Sequence, residues 1–314
     1  MKSSKWIVTL VIALFLTGCI VINPAPTTAP TAEIVPISTD LPPQPTQTIA
    51  PPTEAPGLTI DIMNNSMLDA PESQRSVQLT DGKFSENMPD GSTLMVYLNE
   101  NVAFGDINED GINDAAVLIQ ESMGGTGIFY SITAFISDSM GFSQTNSLFI
   151  DDRAIIHSLL IENGEVILNA NVYGINDPMV NPTVTMTKTY QLFNDGLSLW
   201  RQTTLLSDGS IRSINIDTPV ENEEVSGSVT ITGTMPIAPF ENNLQVQFIA
   251  QSGMPTFIGS FMVDALDMGQ PATFNVTMPI SSFPSGALVK IQLMEVSMAD
   301  GSPMLIDSVL VRVR

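Results

Sequence analysis

Oxygen-bearing side chains recur at alternate positions in one short stretch of the chain, between residues 106 and 114. The residues at relative positions 1, 3, 5 and 9 of this stretch are Asp106, Asn108, Asp110 and Asp114. Gly111 at position 6 permits a sharp turn, which would let the backbone carbonyl of Ile112 join them. Because Ca²⁺ takes about 6–8 hard oxygen ligands at roughly 2.3–2.6 Å, the spacing predicts a calcium-binding loop.

The residues that flank this loop favour two strands, since 102–104 and 115–119 are β-branched, aromatic or apolar. An EF-hand loop would need a bidentate Glu at position 12, where this chain has Val117. The loop instead resembles the calcium-binding hairpins of FG-GAP repeats, and a single copy does not support a propeller of such repeats. The alternative is an Asp/Asn/Gly-rich turn that holds no ion. Calcium is favoured because three nearby carboxylates repel one another unless a cation neutralises them.

The remaining candidates for catalysis are weak. His157 is next to Ser158, but neighbours in a strand point to opposite faces, so the two side chains should not pair. Asp151 and Asp152 are adjacent, which is a poor arrangement for glycoside hydrolysis and a good one for a surface ion pair with Arg153. The glycine-rich residues 124–127 lack the Lys-Ser/Thr of a phosphate loop and are expected to form a tight turn between two strands. No catalytic residue is predicted.

The lone cysteine lies at the end of a leader-like segment. Lys2 and Lys5 precede an apolar run over residues 6–16, which has the length of a signal-peptide core and is too short for a transmembrane helix. Residues 16–19, Leu-Thr-Gly-Cys, resemble a bacterial lipobox. The resemblance implies a lipoprotein signal peptide over 1–18 and lipidation of Cys19, and hence an exported protein anchored on the extracytoplasmic face of a bacterial membrane. The alternative is an ordinary signal with an incidental cysteine.

Composition shifts divide the rest of the chain into three parts. Residues 19–56 are dominated by Pro and Thr and are expected to form a disordered stalk after the lipidated cysteine. Residues 57–211 alternate short β-branched and aromatic runs with Gly, Asn and Asp turns, which predicts a β-rich domain carrying the calcium-type loop. A short helix over 153–160 is left open. Residues 212–314 form the third part.

The C-terminal part has the pattern of an antiparallel β-sandwich. Its seven expected strands lie near residues 213–217, 228–233, 244–250, 257–263, 272–278, 288–296 and 305–312. The opening segment 214–220, the strand 229–234 and the step Pro-Phe-Glu-Asn-Asn-Leu at 239–244 resemble the immunoglobulin-like domain of bacterial spore-germination proteins. The resemblance spans 212–314 and implies an immunoglobulin-like sandwich of the cell envelope, without a defined ligand. The predicted fold class is therefore mainly β, with an N-terminal β-rich domain and this C-terminal sandwich.

The first domain also resembles a family of uncharacterised bacterial envelope-protein domains over roughly residues 76–200. The matching pieces are the acidic loop and its flanks at 105–117, followed in order by 124–130, 151–153, 176–178, 182–183 and 190–192. No function is known for that family, so the resemblance strengthens the prediction of a domain and nothing more.

Composition narrows the function classes. The chain has 33 Asp and Glu against 11 Lys and Arg, for a net charge of -22, so it lacks the basic clusters that nucleic-acid binding requires. One Cys excludes an intramolecular disulfide, and one His excludes a histidine-rich metal site.

The function predicted is that of a non-enzymatic, lipid-anchored envelope protein that binds an envelope protein or a glycan, mediates adhesion, or has a structural role. The alternative is an envelope hydrolase acting on glycan through acidic residues of 57–211. A solute-binding lipoprotein would need α/β lobes that the pattern lacks.

Overall fold

The computed structural model describes residues 57–314 except 176, 179, 252 and 268. The predicted signal peptide, Cys19 and the stalk therefore lie outside the described residues. After a short helix, α1 (Ile60–Asn64), the chain is built from short strands joined by turns. Those before residue 206 are β1 (Met67–Ala70), β2 (Arg75–Gln78), β3 (Lys83–Asn87), β4 (Thr93–Gly105), β5 (Asp114–Met123), β6 (Phe129–Asp138), β7 (Gly141–Gln144), β8 (Leu148–Asp152), β9 (Ile155–Glu162), β10 (Glu165–Val172), β11 (Val184–Phe193) and β12 (Gly196–Leu205).

The strands after residue 206 continue the same pattern. They are β13 (Ile211–Arg212), β14 (Asn215–Thr218), β15 (Glu223–Val225), β16 (Ser228–Met235), β17 (Asn243–Ala250), β18 (Pro255–Met262), β19 (Asp264–Ala265), β20 (Ala272–Pro279), β21 (Leu288–Val296) and β22 (Pro303–Val313), with a helical turn at Phe240–Asn242. The prediction of a mainly β chain is confirmed. The segment for which a short helix was left open is β9, because its apolar residues pair with β10 instead.

A six-stranded antiparallel sheet carries the acidic loop. Its order is β3-β4-β5-β6-β7, and β8 also pairs with β6. Both faces of this sheet are covered, so β5 is buried along almost its whole length and reads as a continuous apolar run from Ala115 to Ile119. On one face lie α1 and the β1–β2 hairpin, which bring Met63 and Leu68 against Val96. The other face packs on β9, β10 and β11 through a second core.

A ten-stranded sheet runs from the first part of the chain into the C-terminal sandwich. Its order is β18-β17-β21-β22-β12-β11-β10-β9, with β13 beside β12 and β15 in a parallel pair beside β22. Leu168 and Tyr190 of this sheet share a core with Leu118 of the six-stranded sheet. At the other end, Phe248 and Ile291 share a core with residues of a four-stranded sheet, β14-β16-β20-β19. The C-terminal strands therefore form a two-sheet sandwich.

Strands β12 and β22 join the two parts of the ten-stranded sheet through a narrow ladder and several buried polar groups. Gln202 pairs with Ile306, and its side-chain amide donates to the carbonyls of Pro303 and Met304 at 2.8 and 3.0 Å. Buried Asp307 accepts from Arg201 Nε at 3.0 Å and from the amide of Ile216. All described residues belong to one compact unit. Among these residues, none of the helices has the length and apolarity needed to span a bilayer.

Candidate calcium loop and the buried carboxylates around it

The acidic loop connects two neighbouring strands of the six-stranded sheet. Gly105 at the end of β4 pairs with Asp114 at the start of β5, and residues 106–113 form the connection. The structure thus places the loop in a β-hairpin, as the flanking residues predict. Gly111 has φ +87°, a left-handed conformation that glycine adopts at little cost, and this is where the chain reverses direction.

Three of the predicted ligands are brought together by hydrogen bonds within the loop. The two carboxylate oxygens of Asp106 accept the amides of Asp110 and Gly111 at 3.0 and 2.7 Å. The carboxylate of Asp110 accepts the amide of Ile112 at 2.8 Å and the side-chain amide of Asn108 at 2.9 Å. Asp106, Asn108 and Asp110 therefore converge on one side of the turn, and Ile112 follows directly.

Asp114, the fourth side chain predicted as a ligand, is fully buried. One carboxylate oxygen accepts the amide of Ile107 at 2.9 Å, and the other accepts the amide of Ser137 at 2.8 Å. Burial raises the pKa of this carboxyl, backbone hydrogen bonds from Ser137, Ile107 and Asn108 act in the opposite direction, and the charge of Asp110 raises it further. Asp114 therefore fastens the loop to the end of β6 from inside the protein.

The donor set of the loop suits a hard cation even though the loop is already hydrogen-bonded. A carboxylate has about four lone-pair sites, and Asp106, Asp110 and Asp114 each use two of them in the contacts above. In the described part of the chain, no group of three or more His, Cys, Asp or Glu side chains is arranged to hold a metal. The buried carboxylate of Asp114 is therefore not brought into one group with those of Asp106 and Asp110, and a cation here would also need the side-chain oxygen of Asn108 and the carbonyl of Ile112.

A second hairpin packs against the loop. A Cβ placed on Gly164, in the turn between β9 and β10, would lie 3.4 Å from the carbonyl oxygen of Ile107 and 3.3 Å from Glu109 Oε1. Ile107 itself is buried in the core between the two sheets. The loop is thus held from beneath by Asp114 and Ile107 and from the side by the β9–β10 turn.

Sequence reasoning missed a second buried carboxylate, Glu121 of β5. Its side chain is 1% exposed, and its two oxygens accept the amides of Glu72 and Ser73, both at 2.9 Å. This contact holds the turn between β1 and β2 on the sheet. Burial, followed by the charge of Glu121, raises the pKa of Glu72. The feature of the sequence that could have indicated this burial is an acidic residue near the end of an otherwise apolar strand.

The residues weighed as catalytic candidates form hydrogen bonds or ion pairs with neighbouring side chains. His157 contacts Asn171 Oδ1 at 2.9 Å, and Ser158 accepts from the side chain of Asn169. Asn169 and Asn171 share one face of β10, and a bulge in β9 at this point turns both His157 and Ser158 toward it, so the expectation that the two neighbours face opposite sides is wrong. Arg153 and Asp152 form the expected ion pair, with Nη2 and Oδ2 at 2.5 Å.

The buried polar residues between β12 and the C-terminal sandwich include a lysine. Lys290 is 2% exposed, and its ammonium group donates to Ser198 Oγ at 2.8 Å and to the carbonyl of Leu199 at 2.9 Å. It also lies 5.0 Å from the ring centroid of Trp200. Burial lowers the pKa of this ammonium group to about 8.

Comparison with known proteins identifies a related family for the C-terminal sandwich only. The search of curated proteins and the search of solved structures found no match. A family model described as the immunoglobulin-like domain of bacterial spore germination matches residues 213–302, which run from just before β14 to just before β22. This match confirms the immunoglobulin-like, germination-type domain expected for the C-terminal part of the chain.

Proposed function

We propose that this chain is a non-enzymatic, lipid-anchored protein of the bacterial cell envelope that serves as a rigid binding, adhesion or structural module. The observation that carries the proposal is the ten-stranded sheet, which extends from the loop-bearing part of the chain into the immunoglobulin-like sandwich. Buried polar contacts at Gln202, Asp307 and Lys290 fix the two parts together. Such a construction suits a scaffold that holds surfaces in a fixed arrangement outside the membrane.

Anchoring is proposed at Cys19, within the lipobox-like residues 16–19, with removal of residues 1–18 as a signal peptide. Acyl chains on this cysteine would bind the membrane at about 0.8 kcal/mol per buried CH₂. The Pro/Thr-rich segment up to residue 56 would then separate the membrane from the folded residues.

The loop of the first part is proposed to hold a structural Ca²⁺, in the manner of the FG-GAP-like hairpin that it resembles. Asp106, Asn108 and Asp110 would supply side-chain oxygens, Ile112 its carbonyl and Asp114 its buried carboxylate. None of these carboxylates takes part in the described ion pairs of the chain. A bound cation would therefore neutralise negative charges that have no Lys or Arg partner there. The buried position of Asp114 favours a role in stability.

The glycan-hydrolase alternative has no observation in its favour among the described residues. Glu121 is the buried carboxylate that borders a cleft on the six-stranded sheet, and both of its oxygens are bonded to backbone amides. A carboxylate whose two oxygens both accept amides of a turn holds that turn in place and is not directed at a substrate. This favours a binding function over a hydrolytic one.

Acyl labelling of the cysteine variant tests the anchored part of the proposal. We expect the wild-type chain, expressed in a bacterium fed an alkyne fatty acid, to incorporate the label and to lose residues 1–18. Cys19→Ser should incorporate no label, because it removes the thiol that receives the lipid. Thr17→Ala, which keeps a small residue before the cysteine, is the matched control and should be labelled like the wild type. An unlabelled wild-type chain, or equal labelling of Cys19→Ser, would contradict anchoring at this residue.

A further inference from the structure

A cleft of about 320 Å³ lies on the six-stranded sheet, at the end remote from the acidic loop. Its floor is formed by neighbouring strands, and one side is formed by the loop between β5 and β6. Its lining includes the side chains of Met95, Tyr97, Gln120, Ser122, Thr126 and Ile128. The volume is near the lower end of the range of small-ligand sites, about 300–1,000 Å³.

The floor of the cleft is part of a row of aromatic and amide groups that the strand register aligns. Tyr97 of β4 is opposite Gln120 of β5, and Gln120 is opposite Tyr130 of β6. Residues directly opposite in antiparallel strands share a face of the sheet, so the three side chains form one line across it. Gln120 Nε2 donates to Tyr130 Oη, and Tyr97 Oη lies 3.0 Å from Met95 Sδ. These contacts orient the rings and the amide in advance of any ligand.

The wall of the cleft is fixed by close backbone contacts. Gly124 has φ +84°, and a Cβ there would lie 3.2 Å from the backbone nitrogen of Thr93, so the loop approaches β4 closely. At the other end of the loop, Ile128 donates its amide to Asp152 Oδ1 at 2.8 Å and accepts the amide of Arg153 at 2.6 Å. The glycine-rich loop is therefore held at both ends, and the cleft is preformed.

Apart from Glu121, the residues that line the cleft carry no ionisable carboxylate, lysine or arginine, although the chain has a net charge of -22. The side chains other than Glu121 are aromatic, amide, hydroxyl, thioether and aliphatic, and each oxygen of Glu121 accepts a backbone amide, from Glu72 and from Ser73. A ligand for this surface needs hydroxyl or amide groups for Gln120, Ser122 and Thr126, and an apolar face for the ring of Tyr97. A sugar ring has both.

We propose that this cleft binds a short segment of a neutral glycan. A peptide is a poorer fit, because β4, β5 and β6 are each paired on both sides and offer no free strand edge for main-chain hydrogen bonds. An acidic glycan is a poorer fit because the described residues that line the cleft include no Lys or Arg. The inference rests on the proposed binding function and gives it a ligand class.

Calorimetric titration of the full chain, purified in a polyoxyethylene detergent that contains no sugar, tests this proposal. The probes are neutral oligosaccharides of β-1,4-linked glucose, of β-1,4-linked N-acetylglucosamine and of α-1,4-linked glucose. An oligogalacturonate and a neutral extended peptide serve as comparison ligands. We expect saturable binding of at least one neutral oligosaccharide and none of the comparison ligands. Tyr97→Ala and Gln120→Ala should each weaken that binding by about tenfold or more.

Phe149→Ala is the matched control. Phe149 is 52% exposed and pairs with Ser131, which neighbours Tyr130 in β6 and therefore faces the other side of the sheet. We expect this variant to bind like the wild type, and Tyr97→Phe, which keeps the ring, to lose less affinity than Tyr97→Ala. Thermal unfolding of each variant establishes that it is folded.

Three results would overturn the proposal: binding of none of the neutral oligosaccharides, binding of the peptide or the oligogalacturonate in their place, or full affinity in Tyr97→Ala. Acyl labelling at Cys19 is measured separately, so failure here is distinguishable from failure of the anchored scaffold.

Discussion

Asp114→Ala is expected to lower the free energy of unfolding by about 2–5 kcal/mol in calcium-free buffer. The reason is that the buried amides of Ile107 and Ser137 both lose their acceptor, and each unsatisfied buried group costs about 1–3 kcal/mol. Removal of a buried negative charge offsets a part of this loss, which is why the expected range stops short of the full sum. Urea unfolding followed by circular dichroism measures the change.

Asp110→Ala is the matched control, since it removes the same side chain from an exposed position of the same loop. Its carboxylate accepts Ile112 and Asn108 near solvent, so water can replace the lost contacts. We expect a change below about 1 kcal/mol for this variant. Equal losses in the two variants, or a loss below about 0.5 kcal/mol in Asp114→Ala, would show that the buried carboxylate does not anchor the loop.

The second large effect is a rise of stability with pH between 7.5 and 9.5. The pKa of Lys290 is lowered by burial from 10.5 to about 8 in the folded chain. Across this interval the folded chain loses the proton of Lys290 while the unfolded chain keeps it. The unfolded state therefore binds more protons, and the free energy of unfolding increases with pH. The expected contribution of Lys290 is about 2 kcal/mol.

Lys188 should contribute in the same direction, because burial lowers its pKa to about 8 as well. Burial raises the pKa of Tyr190, which acts in the opposite sense, but mainly above the ordinary tyrosine pKa near 10. Lys290→Met keeps an unbranched apolar stem against Trp200, and it should reduce the rise to about half. Lys83→Met, at an exposed position of β3, should leave the rise unchanged. A rise in Lys290→Met as large as in the wild type would contradict this role.

Local sequence signals were sufficient to predict a mainly β chain and the strands of its C-terminal part. The Asn163-Gly164 turn between β9 and β10 has both residues at positive φ, as expected of an Asn-Gly hairpin. Each of the seven strands expected in the C-terminal sandwich is present within a few residues of its predicted position. The hairpin at the acidic loop was also predicted, because its Asp, Asn and Gly residues and the flanking apolar runs are close in sequence; calcium binding there stays a prediction.

The buried carboxylates and the shared sheet could not be predicted in the same way. Glu121 takes its partners from Glu72 and Ser73, almost fifty positions earlier, and Asp114 takes one from Ser137 on another strand. Gln202 and Ile306 pair across about a hundred residues of chain. Charged and polar residues normally indicate solvent exposure, so their burial here depends on tertiary pairing that periodicity does not contain.

Calcium titration of the full chain in detergent tests most directly whether the acidic loop is a cation site that stabilises the fold. We expect saturable heat in calorimetry and a higher melting temperature with Ca²⁺ than with EDTA. At a free concentration one hundred times the Kd, binding adds about 2.7 kcal/mol, which corresponds to a rise of about 5–10 °C for a folded part of this size. Mg²⁺ at the same concentration should give less, because it demands a smaller and more regular octahedral cage. Asp110→Ala, which leaves the calcium-free fold almost unchanged, should abolish the rise. No heat of binding and an unchanged melting temperature in the wild-type chain would contradict a calcium site at residues 106–114.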